Sequence, residues 1–225
     1  MGSYLNPGNK GFQESLNSKI YVDKTGLIEK TNAALNTRQK FMCVSRPRRF
    51  GKSMAADMLA AYYARGEDSA ELFKSLKIRK AESYEKHRNQ YDVIKVNMQE
   101  FLSMTHSMDE MLSMLQKYLI FDLMDHFETV RFRDEHNLIQ VMKDIYSKTN
   151  HSFIILIDEW DCLFREYKQD KEAQKEYLDF LRAWLKDKDY VALAYMTGIL
   201  PIKKYGYHSC LLYTSPSPRD GLLSR

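Results

Sequence analysis

Phe41-Met42-Cys43-Val44-Ser45-Arg46-Pro47-Arg48-Arg49-Phe50-Gly51-Lys52-Ser53 is the stretch whose reading decides the fold. Phe41–Val44 is an apolar run of strand length and strand character. Met54–Ala64 is rich in Met, Ala, Leu and Tyr, has no Gly or Pro, and reads as a helix running to about Arg65, with Gly66 as its stop. A strand, a tight turn and a helix start make an anion site, because free backbone N–H groups and the positive end of the helix dipole face the bound group. Gly51 lets the backbone approach a phosphate, Lys52 is placed to reach the β- and γ-phosphates of a nucleotide, and the Ser53 hydroxyl is placed to bind Mg²⁺. The general pattern G-x-x-x-x-G-K-[ST] has glycine where this chain has Arg46. Gly-Lys-Ser alone recurs by chance on many surfaces, and three arginines in a turn are commonly a solvated basic loop. The rest of the chain must therefore carry the decision.

Downstream, Ser152–Ile157 reads Ser-Phe-Ile-Ile-Leu-Ile, apolar without alternation, as a central parallel strand covered on both faces should be. It runs into Asp158-Glu159-Trp160-Asp161. Tyr91–Asn97 and Tyr190–Met196 are two further strands, the last ending in Thr197-Gly198. Between them lie predicted helices over Leu27–Leu35, Asp68–Phe73 (with Ser69 as a cap), Ser107–Phe127, Asp134–Lys148 and Lys171–Lys186. The Met-rich stripe of the Ser107–Phe127 helix reads as a core face. Residues 1–20, with Asn6-Pro7-Gly8-Asn9 and Gly11, read as turn chemistry. Strands alternating with helices imply an α/β fold, a mainly parallel sheet with helices on both faces. Ligands of such sheets sit at the carboxyl ends of the strands, where Ser45–Ser53, Asp158–Asp161 and Thr197 all fall.

These positions suggest chemistry. Asp158, carried to the pocket edge by its strand, is a candidate to hold Mg²⁺ together with Ser53, since that ion prefers oxygen ligands and keeps several waters. Glu159 is a candidate to orient and deprotonate an attacking water. Thr197 is a candidate to position that water, or else a plain turn residue before Gly198. Asp161 reads more readily as an exposed acid than as a support for the metal or loop. Arg46, Arg48 and Arg49 can neutralise phosphate charge, with at least one facing solvent or a neighbouring subunit.

Composition narrows the classes. The 225 residues are 44% hydrophobic with both charge signs mixed and carry a net charge of +4, too mild to argue for nucleic acid. No run approaches a membrane span and the N-terminus lacks a signal-peptide core, so the expectation is a cytoplasmic protein with no membrane partner. Five of the histidines, His87, His106, His126, His136 and His151, show no ligand spacing. Cys43 and Cys162 read as reduced core thiols.

Cys210–Asp220 reads as a translated sequencing adapter, with Gly221–Arg225 behind it, so residues 210–225 are set aside from fold reasoning. The natural chain is then expected to end near Ser209 in mid-gene. Cys210 drops out, as do two positive charges and one negative (Arg219, Arg225 and Asp220), leaving +3.

Tyr21-Val22-Asp23-Lys24-Thr25, Ser45–Ser53, Phe153–Asp161 and Thr197-Gly198-Ile199-Leu200 together resemble the bacterial AAA-ATPase-like family over residues 1–209. That family's phosphate loop is written R-P-R-R-F-G-K-S, so Arg46 departs from the general motif and not from the family's. The resemblance implies an AAA-like P-loop NTPase core of the additional-strand, catalytic-glutamate type. Arg46, Pro47, Arg48, Arg49, Phe50, Gly51, Lys52 and Ser53 would contact ATP, Ser53 and Asp158 would hold Mg²⁺, and Glu159, Lys52 and Thr197 would act in catalysis. It also implies that full-length members often continue into a PD-(D/E)XK nuclease-like domain, through which alone nucleic acid would be contacted. The domain reading is residues 1–36 as an N-terminal linker and helix, and residues 37–209 as an ATPase-like core, incomplete at its C-terminus. Two functions are expected: ATP hydrolysis that moves a missing domain, a protein partner or a second copy, or an ATP-bound switch or scaffold with negligible hydrolysis. Direct nucleic-acid binding by the arginine loop ranks below both, because phosphate already explains those arginines.

Overall fold

The computed structural model describes residues 2–200. Four strands, β1 (Phe41–Ser45), β2 (Asp92–Asn97), β3 (Phe153–Asp158) and β4 (Val191–Gly198), form one sheet. All neighbours are parallel, and the order is β1-β4-β3-β2. The unbroken apolar run of β3 does what its composition requires: every residue is buried, and alternate side chains feed two separate cores.

On one face, Ile154 and Leu156 meet Leu59, Tyr62 and Tyr63 of α3 (Lys52–Tyr63), Phe12 of α1 (Lys10–Leu16) and Ile28 of α2 (Gly26–Ala34). Phe73 of α4 (Ala70–Phe73), the 3-10 turn Lys77–Lys80 and Tyr84 of α5 (Tyr84–His87) complete that layer. On the other face, Phe153, Ile155 and Ile157 meet α6 (Met98–Ser103), α7 (Met108–His126), α8 (Leu138–Thr149), α9 (Cys162–Glu166) and α10 (Lys171–Leu185). The stripe Met108, Met111, Leu112, Leu115, Leu119 and Leu123 of α7 is core, as its spacing predicts.

Helix starts follow their capping chemistry. Ser107 Oγ accepts from Glu110 N (3.2 Å), Asn137 Oδ1 from Gln140 N (3.0 Å) and Asp170 Oδ1 from Ala173 N (2.9 Å). The outer edge of β2 is covered by the chain's own start. Asn6 N donates to Val93 O (2.7 Å) and Lys95 N to Tyr4 O (2.9 Å). Asp122 of α7 accepts the N–H groups of Tyr4 (2.7 Å) and Leu5 (3.2 Å), fixing that cover in place.

Several expectations need correction. Residues 1–20 are not only turns: α1 forms because Phe12 buries against Phe73, ring centroids 5.0 Å apart. α3 starts at Lys52 and ends at Tyr63. Ala64 goes extended to bridge Tyr91, so Gly66 lies beyond the cap and does not close the helix. α8 begins at Leu138, because Asp134 instead turns the chain by accepting from His136 N (3.0 Å) and Asn137 takes the cap. Ser69 holds the N-cap position of α4 as expected, but its hydroxyl donates to Asn89 Oδ1 (3.1 Å) and does not cap the helix. β4 runs to Gly198, two residues past the predicted end. The tail Cys210–Arg225 and the expected end near Ser209 lie outside the described residues. Among the described residues no helix is long and apolar enough to cross a membrane.

Cys43 on β1 and Cys162 on α9 are both free and buried, and burial pushes each thiol up to about 12. The thiolate is the reactive form. Native protein treated with iodoacetamide at pH 8 should therefore keep both cysteines unmodified by peptide mapping, and both should label in denaturant. Labelling of either one in the native state would contradict this packing.

Candidate functional site

The parallel register brings three strand ends level. Val44 of β1 pairs with Thr197 of β4, Ser45 with Gly198, and Ile157 of β3 with Met196. Because β4 lies between β1 and β3, the loop after β1 and the carboxylates after β3 open at the same end of the sheet, the end at which such folds bind ligands.

The loop 46–51 turns tightly. Arg46 N donates to Gly198 O (3.0 Å), and the backbone is left-handed at Arg49 (φ 66°) and Gly51 (φ 72°). At Gly51 the positive φ disfavours any side chain, and a Cβ there would stand 2.8 Å from Lys24 Nζ and displace that ammonium. α3 begins directly after, so its first N–H groups face the loop. Lys52 is 9% exposed, and its ammonium folds back to donate to Arg46 O and Pro47 O, each at 3.1 Å. Arg46, Pro47, Arg48, Arg49 and Phe50 are all exposed, so all three arginines face outward where at least one was expected to. Among the described residues none of the three arginines has an ion-pair partner.

Asp158 ends β3 and is 4% exposed. Its Oδ2 accepts from the Ser53 hydroxyl at 2.5 Å. Its Oδ1 accepts from the Thr197 hydroxyl and from Glu159 N (3.0 Å). One carboxylate thus joins the first turn of α3 to the end of β4. Behind it, burial pushes the Tyr195 hydroxyl up, and the charge of Asp158 adds to the shift.

Glu159 adopts a left-handed backbone (φ 53°), and its carboxylate is ion-paired with Arg165 of α9. Asp161, expected to be an exposed acid, is 0% exposed. Its Oδ2 accepts from Ile199 N (2.9 Å) and Leu200 N (2.7 Å), tying the turn after β3 to the segment after β4. Trp160 N donates to Thr197 O (3.1 Å) and reinforces the same junction.

The structure therefore brings Lys52, Ser53, Asp158 and Thr197 together. It sets Glu159 beside them with its carboxylate engaged, and leaves the arginines projecting from the loop. Ser53, Asp158 and Thr197 form an all-oxygen group, which suits Mg²⁺. No cluster of three His, Cys, Asp or Glu side chains able to hold a metal occurs among the described residues. Three site residues escaped the sequence reading. Arg165 lies six positions after Glu159 on a helix too short to carry a periodic signal. Asp161 read as an exposed acid and is fully buried. Lys24 Nζ donates to Phe50 O (2.9 Å) from a segment distant in sequence.

Removing Asp161 leaves the N–H groups of Ile199 and Leu200 without their acceptor at a half-buried junction and takes a fully buried carboxylate from beside Arg165. Asp161→Ala should lower stability by about 2–4 kcal/mol, a melting midpoint lower by roughly 5–10 °C. A melt within about 1 °C of wild type would refute the tie.

No curated protein matches the chain. The family described as AAA-ATPase_like, a predicted AAA-ATPase, matches residues 9–207, which include the loop, the end of β3 and the end of β4. The chain belongs to this AAA-ATPase-like family.

Proposed function

We propose that the protein binds ATP at the loop Arg46–Ser53 and hydrolyses it in a Mg²⁺-dependent reaction. The observation that carries this reading is the Ser53–Asp158 hydrogen bond. It sets a hydroxyl at the start of α3 against the carboxylate at the end of β3, the pair of oxygen groups a nucleotide-bound Mg²⁺ needs. A competing cleft between α7 and α10 is lined by Asp109, Glu135, Glu176 and Asp179 against one lysine, Lys117, and that net negative charge repels a polyphosphate.

The chain's own groups divide the work. The N–H groups of Gly51–Ser53 and the α3 dipole hold the phosphates. Lys52 exchanges its two carbonyl acceptors for phosphate oxygens. Arg46, Arg48 and Arg49, with Pro47 and Phe50, frame the loop and supply mobile positive charge. Ser53 and Asp158 would hold Mg²⁺, which when bound neutralises charge on the phosphates. Thr197 orients Asp158, and its hydroxyl keeps lone pairs with which to align a water. Glu159 takes the proton of that water. Hydrolysis would drive a conformational change in a further domain, a protein partner or a second copy of the chain. A cytoplasmic setting is part of this reading.

The Arg165–Glu159 ion pair favours a second reading, an ATP-bound switch or scaffold with negligible turnover, because a carboxylate held by a guanidinium is not free to face a water. Phosphate release from Mg-ATP separates the two. In the ATPase reading Glu159→Gln lowers turnover by about 100-fold or more and leaves ATP affinity within about threefold, a change of under about 1 kcal/mol. If wild type binds ATP without releasing phosphate, or Glu159→Gln turns over like wild type, the ATPase reading fails.

A further inference from the structure

We infer that Lys24 is a second ammonium ligand for the polyphosphate, delivered to the loop by the arm that precedes α2; the inference rests on the nucleotide reading above. The functional reading gives the arm Tyr21–Thr25 no role, yet the arm is built to aim one side chain. Asp23 Oδ1 accepts from Thr25 N (2.9 Å) and from the Thr25 hydroxyl (2.6 Å), and Asp23 Oδ2 accepts from Lys77 N (2.9 Å). Thr25, fully buried, in turn accepts from Ile78 N at 3.1 Å. Both neighbours of Lys24 are thereby clamped to the 3-10 turn Lys77–Lys80. The lysine between them is free to cross to the loop.

Its position has a chemical meaning. The ammonium donates to Phe50 O at 2.9 Å and stands 2.8 Å from where a Cβ on Gly51 would be. It therefore stands directly before the N-terminus of α3, where the helix dipole is positive. Lys52 and the exposed Arg46, Arg48 and Arg49 belong to the same short stretch, and among the described residues no carboxylate pairs with Lys24. Five cationic side chains around a helix N-terminus repel one another, an arrangement that a bound polyanion offsets. An ammonium has three donors, and Phe50 O takes one, which leaves two for phosphate oxygens.

Holding the loop in shape through Phe50 O would be a different role, and it needs a donor without needing charge. Lys24→Gln keeps an N–H donor and removes the charge, while Lys24→Arg keeps the charge. Titration of the full chain with fluorescent ATP at low and high salt, in the presence of Mg²⁺, is the test, with Lys52→Ala as control. Lys24→Gln should weaken ATP binding by about tenfold or more, as loss of a charge-assisted hydrogen bond does. It should also reduce the salt dependence of that binding, and Lys24→Arg should restore most of both. Because Lys24 is exposed, the unliganded melting midpoint should stay within about 1 °C, which corresponds to under about 0.5 kcal/mol. Unchanged ATP affinity in Lys24→Gln overturns the inference, and so does a loss of affinity with unchanged salt dependence. If wild type and Lys52→Ala both fail to bind ATP, the nucleotide reading itself falls and the role of Lys24 falls with it. Binding by wild type with no effect at Lys24 sinks only the latter.

Discussion

The carboxylate of Asp158 couples three segments that are far apart in sequence. One oxygen takes the hydroxyl of Ser53 on α3, and the other takes the hydroxyl of Thr197 on β4. A carboxylate this buried is costly unless donors surround it, and here the two hydroxyls and the Glu159 N–H supply them. The sheet order makes this geometry available. Only with β4 inserted between β1 and β3 do the first turn of α3 and the ends of both strands come within reach of a single side chain. The same order lets Asp161 reach Ile199 and Leu200, so two aspartates, Asp158 joining α3 to β4 and Asp161 holding the segment after β4, close this end of the sheet.

Against that negative charge the loop sets a concentration of positive charge that the protein does not itself neutralise. Lys52 satisfies its ammonium with backbone carbonyls, Lys24 does the same, and the three arginines stand in solvent. Backbone carbonyls are weaker partners for a cation than phosphate oxygens, so these bonds can be exchanged when an anion arrives. The left-handed turns at Arg49 and Gly51 belong to the same economy, because they let consecutive N–H groups converge. By contrast Glu159 already has a full counter-charge in Arg165.

Much of this was legible in the sequence. β3 announced itself through five apolar residues in a row, Phe153–Ile157, β1 through its position ahead of Gly51-Lys52-Ser53, and the α7 and α10 faces through helical periodicity. Lys52, Ser53, Asp158 and Thr197 could be grouped because each lies at or just after a strand's carboxyl end. What escaped is what tertiary packing decides. α1, α6 and α9 are one to two turns long, too short for a pattern, and exist because Phe12, Phe101 and Leu163 bury. Asp161 looked exposed because its partners are 38 and 39 residues further on. Nor could sequence spacing show that Lys24 spans 26 residues to Phe50 O, since its aim depends on Asp23 and Thr25 gripping a turn more than fifty positions away.

The central claim is that the loop, Lys52 and the Ser53–Asp158 pair form a nucleotide site. A thermal melt of wild type and Lys52→Ala with and without saturating Mg-ATP tests it most directly. Ligand at about 100 times its dissociation constant adds about 2.7 kcal/mol to the stability of the native state, so the wild-type midpoint should rise by roughly 5–10 °C. Lys52→Ala, folded to the same extent, should show no rise. A folded wild type whose midpoint ignores Mg-ATP, or a Lys52→Ala protein that shifts as far as wild type, would contradict the account.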